Sequence, residues 1–225
     1  MANNNPKQNA LNVEEQLTKN EQLVQKYWKK IVIAIVAVVV IILAAFAINN
    51  YVIKPRADKA STELAKGQDY FMQGEFEKAV NGDKAGFAGF KSIANEYSST
   101  DAGNLAKLYS GICYAQLGKW NEAIASLEDF STKGDQMISP AALGALGNAY
   151  AHVNKLDDAV KTLKKAAEKA DNNSLSPTFL VQAGEILESQ GKKAEALELY
   201  KEVKSKYMQS MAYQTIDKYI ERASN

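Results

Sequence analysis

Cysteine and histidine, the side chains best suited to covalent or proton-transfer chemistry, each occur once in the 225 residues, as Cys113 and His152. A lone thiolate can serve as a nucleophile, and a lone imidazole as a base or a metal ligand. The counts exclude a histidine cluster, a CxxC pair and a disulfide within the chain. Cys113 precedes Tyr114 in an apolar stretch, where a small buried hydrophobe is the expected role. His152 reads as a groove or hairpin-surface residue. Asp157 and Asp158 stand where the second helix of a hairpin would open; acids there complement the helix dipole without catalysis. The sequence carries no Gly-rich phosphate loop, no metal-ligand spacing and no catalytic carboxylate pair. The chain therefore reads as a non-enzyme, with no cofactor and no metal.

Charge points the same way. Residues 55–225 carry 21 Lys/Arg against 23 Asp/Glu, so no basic field of the kind nucleic acid needs is present. Lys164-Lys165 and Lys192-Lys193 read as solvated helix faces.

The elements that position these residues repeat. Gly111, Tyr114, Gly118, Ala123 and Leu127 are followed at the same offsets by Gly147, Tyr150, Ala159 and Leu163, then by Gly184, Leu187, Gly191, Ala196 and Tyr200. An earlier copy holds Gly67, Tyr70, Gly74 and Ala79, separated from the next by an insertion near Asn81–Gly89. A period of about 34–37 residues is the mark of stacked helical hairpins. The first glycine of each set lets a partner helix approach, and the aromatic residue fills the face one turn on. Gly74, Gly118, Gly191 and Asn154 stop the first helix, and the alanine sits where the second helix crosses it. Each hairpin leaves an apolar face for its neighbour to cover. Met211 to Arg222 mixes apolar and charged positions as a terminal capping helix does. The expected fold is all-α: one N-terminal apolar helix, then a solenoid of about four hairpins and a cap.

Residues 31–48, IVIAIVAVVVIILAAFAI, are apolar without interruption. As a helix they span about 27 Å, close to the roughly 30 Å hydrocarbon thickness of a bilayer. Tyr27, Trp28, Lys29 and Lys30 precede the run, and Tyr51, Lys54 and Arg56 follow it, an interfacial pattern. Two other readings stand beside a membrane anchor. Ala45-Phe46-Ala47 matches a signal-peptide cleavage rule, and a buried core helix is the third possibility. Four cations in residues 16–30 against three in 49–63 favour a cytoplasmic N-terminus and a translocated C-terminal domain. The expected divisions are a tail and juxtamembrane helix (1–30), an anchor (31–53) and a repeat domain (54–225). Within the first, residues 1–10 read as a polar tail, with a helix starting near Asn12. A hinge is expected at Lys54, before Pro55.

The Gly-x-x-Tyr…Gly…Ala pattern, four times in register over residues 60–206, resembles the tetratricopeptide repeat (TPR) family. The family's frequent early Trp and its usual repeat-end proline are missing, although Pro140 and Pro177 sit just before the third and fourth hairpins. The resemblance implies a partner groove lined by the first helix of each hairpin: Leu64, Phe71 and Met72, then Leu105, Leu108 and Ile112, then Asn148 and His152, with Glu185 and Glu188 at a polar end; the alternative is that these residues pack against the insertion at Asn81–Gly89 or a neighbouring helix. Leu64 and Gln68 replace the Lys and Asn of a carboxylate clamp, so binding of EEVD-type tails is not expected. The whole plan resembles the YfgM-type ancillary subunits of the bacterial Sec translocon. That resemblance implies a bacterial inner-membrane location, partnership with SecYEG and a PpiD-like chaperone, and contact with nascent secretory or membrane proteins. A cell-envelope scaffold for division or outer-membrane assembly factors and a cytosol-facing precursor receptor are the alternatives.

Overall fold

Proline at the first position of a helix is preorganised for it, and its missing N–H would be unpaired there in any case. The first helix, α1 (Pro6–Ile48), begins in this way. It starts earlier than the expected position near Asn12, because Lys7, Gln8 and Ala10 are all good helix formers. The computed structural model describes the backbone from Pro6 to Asn225 and the side chains from Gln25 onward. The rest of the expected polar tail, residues 1–5, lies outside these described residues. From Gln25 to Asn49 every side chain is exposed. The apolar run thus covers no core of this chain, which removes the core-helix reading, and it is long and apolar enough to cross a membrane.

A π-helical turn, Asn49–Ile53, follows, and the Lys54 N–H donates to the carbonyl of Asn49, five residues back. The expected hinge at Lys54 is absent: its backbone is α-helical, at φ −60° and ψ −53°. Pro55 has no N–H to give, and its ring would collide with the carbonyl four residues earlier in a regular helix. Widening the preceding turn accommodates the ring without breaking the chain's helical course.

The chain divides into two compact units, one ending at Pro55 and the other spanning Arg56–Asn225. The second is built from helices α2 (Lys54–Met72), α3 (Phe76–Asn81), α4 (Phe90–Glu96), α5 (Asp101–Gln116), α6 (Trp120–Glu128), α7 (Ile138–His152), α8 (Leu156–Ala170), α9 (Ser176–Ser189), α10 (Lys193–Lys206) and α11 (Ile216–Ser224). Among the described residues every regular element is helical. The pairs α5/α6, α7/α8 and α9/α10 are hairpins, and in the first hairpin the returning arm is split into α3 and α4 by the insertion.

The turns share one hydrogen-bond pattern. Glu75, Lys119, Lys155 and Lys192 each donate their N–H to a carbonyl five residues back, on Tyr70, Tyr114, Tyr150 and Leu187, at 2.8–2.9 Å. This is the closing bond of a Schellman turn, which needs a left-handed residue just before the donor. Gly74, Gly118 and Gly191 supply it at φ +71° to +74°, and Asn154 at +61°.

Inside each hairpin a glycine of the first helix faces a large side chain of the second. A Cβ at Gly111 would stand 2.5 Å from Leu127, one at Gly147 2.7 Å from Leu163, and one at Gly184 2.3 Å from Tyr200. In the first hairpin this register places Asp83 opposite Gly67, and the insertion resolves the mismatch. Phe87 and Phe90 cover Gly67 instead, while Asp83 accepts the Tyr70 hydroxyl and the N–H groups of Ala85 and Phe87. Ala79, Ala123, Ala159 and Ala196, at the helix crossings, are fully buried.

The buried residues form two cores. One runs from Ala60 to Ala149; the other gathers Leu143, Leu163 and Phe179 with residues as far as Ala223. Helix α7 contributes to both, through Ala142, Leu146 and Ala149 to the first and Leu143 to the second. At the far end α11 closes the second core with Ile216 and Ala223, and Arg222 pairs with Glu188.

Candidate functional site

The first helices of the hairpins, α2, α5, α7 and α9, carry the expected groove residues, but they do so unequally. Leu64 and Leu108, 6% and 8% exposed, belong to the first core and do not line an open surface. Phe71 is half-buried in an aromatic cluster, its ring 5.7 Å from Phe76 and 5.2 Å from Tyr109, which in turn stacks on Phe90 at 5.1 Å. Leu105 and Ile112 are half-buried against the same core. Met72, 75% exposed, and His152 are left open, with Asn148 half-buried between the extremes. The insertion is the physical reason: Phe87 and Phe90 bring aromatic bulk to α2 and α5, so most of the apolar N-terminal half is spent on packing. Gln68 is also engaged, donating to the Tyr109 hydroxyl at 2.8 Å.

At the polar end, Glu185 is exposed, whereas Glu188 is tied into the fold. It accepts the Tyr200 hydroxyl at 2.7 Å and pairs with the Arg222 guanidinium. That guanidinium, with the Tyr200 hydroxyl, holds the Glu188 carboxyl below the usual glutamate range, and burial drives the Tyr200 phenol up. Glu188 thus joins α9, α10 and α11.

His152 stacks face to face on Trp120, centroids 3.7 Å apart and planes within 4°. Trp120 opens α6, so the stack joins neighbouring hairpins at the surface. The sequence offered no signal for this pair, because the residues lie 32 apart and belong to different repeats. Cys113 is wholly buried, and burial pushes its thiol up to about 12. Such a thiol is protonated at neutral pH and is a poor nucleophile. Among the described residues, no three of His, Cys, Asp and Glu are grouped so as to hold a metal ion.

Two local motifs with a readable signal were missed. In Asp135–Pro140 and Asn172–Pro177 an Asp or Asn stands four residues before a Ser-Pro. Asp135 accepts the N–H groups of Met137, Ile138 and Ser139 at 2.6–3.0 Å and the Ser139 hydroxyl at 2.5 Å. Asn172 accepts those of Ser174 and Leu175 at 2.9 and 2.8 Å. Both satisfy the orphan donors at a helix start. Pro140 and Pro177 lie inside the first turns of α7 and α9, not before them, where a missing N–H does no harm. The acids opening α8 have a second use beyond the dipole. Asp157 accepts from Lys192 at 2.9 Å and Gln190 at 3.0 Å, and Lys119 reaches Glu77 at 3.2 Å at the corresponding step between the first two hairpins.

Residues 23–221 match the tetratricopeptide repeat-like domain. The chain belongs to that family. Solved structures share its fold at low identity. The Podosopora anserina putative kinesin light chain TPR-like repeats are 14% identical with a TM-score of 0.56, covering 74% of this chain and 86% of that one. A MamA protein is 18% identical with a TM-score of 0.53, covering 73% and 89%. A second MamA structure is 20% identical at 0.51, covering 70% and 92%. No curated protein sequence matches the chain. The TPR-like domain is a protein-interaction module, a scaffold for partners rather than a catalytic fold.

Proposed function

We propose that this TPR-like module is anchored in the bacterial inner membrane as an ancillary subunit of the Sec translocon. In this reading, residues 31–53 span the membrane, residues 1–30 stay in the cytoplasm, and residues 54–225 work on the periplasmic side. Its partners are SecYEG, a PpiD-like chaperone and nascent secretory or membrane proteins leaving the channel. The supporting observation is the wholly exposed apolar run of α1 placed directly ahead of a stack of interaction repeats. Such a run is stable in hydrocarbon and unfavourable in water, and a solenoid beyond it offers a surface to chains emerging nearby. The open positions of that surface are Met72 and His152, with Asn148, Leu105 and Ile112 partly available. A methionine at the open end suits partners of varied shape.

Photo-crosslinking groups at Met72 and His152, in native membranes, test the reading. Recovery of Sec subunits or secreted chains supports it. Consistent recovery of division or outer-membrane factors alone moves the assignment to an envelope scaffold. Protease added outside the inner membrane should degrade the chain beyond Pro55; protection of that region favours a cytosol-facing receptor. Met72→Glu should weaken crosslinking and leave the circular dichroism melt unchanged. Leu108→Glu should unfold the domain, because an unpaired buried charge costs several kcal/mol.

A further inference from the structure

The cleft between α4 and α6 departs from the repeat. Both helices pack on α5, whose residues Lys107, Ser110 and Tyr114 line the cleft, a cavity of about 340 Å³. At about 3.6 residues per turn, these three lie on the side of α5 opposite Leu105 and Ile112. The cleft therefore opens away from the expected groove. By register, Leu143 and Leu180 take the place of Lys107 in the next two hairpins, and Leu146 and Ala183 that of Ser110. All four are buried apolar residues of the two cores. An ammonium and a hydroxyl thus stand where the following hairpins have hydrocarbon. Neither is fully used. Ser110 is 2% exposed, and its hydroxyl has no hydrogen-bond partner among the described residues. A buried hydroxyl ordinarily finds one, because leaving it unpaired is unfavourable. The Lys107 ammonium has three N–H donors. It gives two to Asp129, at 2.9 Å to the carboxylate and 3.1 Å to the carbonyl, which leaves one.

These two donors, three residues apart on one helix face, are neighbours placed to share a single carboxylate. Lys91, on α4, adds a second cation to the lining. The opposite charge comes from α6. Asp129 pairs with Lys107 and Leu127 covers Gly111, so the antiparallel α6 carries Glu122 toward the Tyr114 end of the cleft. From Lys107 to Tyr114 the helix rises about 10 Å, which is the length of about three extended residues. We propose that this cleft binds a free peptide of about three small residues in extended form, its carboxylate on Lys107, Ser110 and Lys91 and its ammonium on Glu122. Ala94, Ala125 and the Tyr114 ring offer its side chains apolar surface. The inference is independent of the membrane and translocon readings.

Isothermal titration of the full-length chain in detergent tests the proposal with three probes: trialanine, trialanine amidated at its carboxyl end, and trialanine acetylated at its amino end. Trialanine should bind one per chain, and each blocked form about tenfold more weakly, the effect of losing one charge-assisted hydrogen bond. Ser110→Ala should weaken trialanine by a similar factor without lowering the circular dichroism melt. Glu122→Gln should weaken trialanine but not the acetylated peptide, which has no ammonium to place. Ser110→Leu, which copies Leu146, should fill the cleft and abolish binding. No heat from any of the three peptides means that the cleft holds water alone, and the proposal fails. Binding that Ser110→Ala and Glu122→Gln leave unchanged puts the peptide elsewhere on the solenoid and overturns it equally. Equal affinity for the free and amidated peptides does the same.

Discussion

Gly103 stands closest to a neighbouring backbone: a Cβ there would lie 1.9 Å from the Tyr97 carbonyl oxygen. Replacing glycine with alanine inside a helix ordinarily stabilises it by about 1 kcal/mol. At Gly103 the obstacle is main chain and cannot rotate away, so Gly103→Ala should be clearly destabilising. At Gly147 the first obstacle is the Leu163 side chain at 2.7 Å, which can shift. Gly147→Ala should therefore do less harm, and the larger Gly147→Leu should cost roughly 1–3 kcal/mol. Gly134→Ala, with nothing within 4 Å, is the neutral control. Urea midpoints rank the four; a Gly103→Ala protein as stable as wild type would contradict the packing described. Gly103 escaped the sequence reading because its counterparts in the next hairpins are Ser139 and Ser176, so no glycine recurs there, and its contact is with the loop just after α4. The buried Cys113 gives a second expectation. With its thiol near 12, it should resist Ellman's reagent at pH 8 in the native protein and react fully in denaturant. Rapid labelling of the native state would refute that burial.

At the level of the element, the start of α7 depends on one ionised group. The Ser139 hydroxyl and the N–H groups of Ser139, Met137 and Ile138 all favour the Asp135 carboxylate and hold its pKa below the ordinary aspartate value. A carboxyl whose folded pKa is depressed adds stability above its unfolded pKa of about 3.9 and loses it as pH falls toward the folded value. Wild type should therefore lose part of its stability below about pH 4. Asp135→Asn should flatten that acid limb while keeping much of the cap, since α9 starts from Asn172 with two of the three corresponding backbone bonds. Asp135→Ala should cost about 0.5–2 kcal/mol at neutral pH. Thermal melts from pH 3 to 7 measure all three, and an unchanged acid limb in Asp135→Asn would remove Asp135 from this role. The hairpins were legible in sequence because their spacing is set by backbone geometry: a glycine under a crossing helix, a left-handed residue at each turn. Which groove residues stay open was not legible. Leu64 and Leu108 occupy groove positions by register, yet both are buried in the first core, which Phe87 of the insertion also joins. The fate of Glu188 likewise depends on Arg222, on a helix outside the repeat.

For the whole molecule, the unit from Arg56 to Asn225 contains every buried residue of both cores. A chain beginning at Arg56 should therefore give a strongly helical circular dichroism spectrum and a cooperative melt without α1. A weak helical signal would contradict the fold. The two cores that share α7 also bear on the order in which the protein forms. The first core is complete once Ala149 is available, whereas the second waits for Ile216 and Ala223. A chain delivered from its N-terminus can thus finish one core while about 70 residues of the other are still to come. Until then α7 has one face satisfied, and Leu143 remains uncovered. Purified truncated chains ending near residue 165 should already protect Cys113 from thiol reagents, while those ending near 120 should not. The shared helix would then act as a template, offering each newly delivered hairpin a finished surface on which to settle.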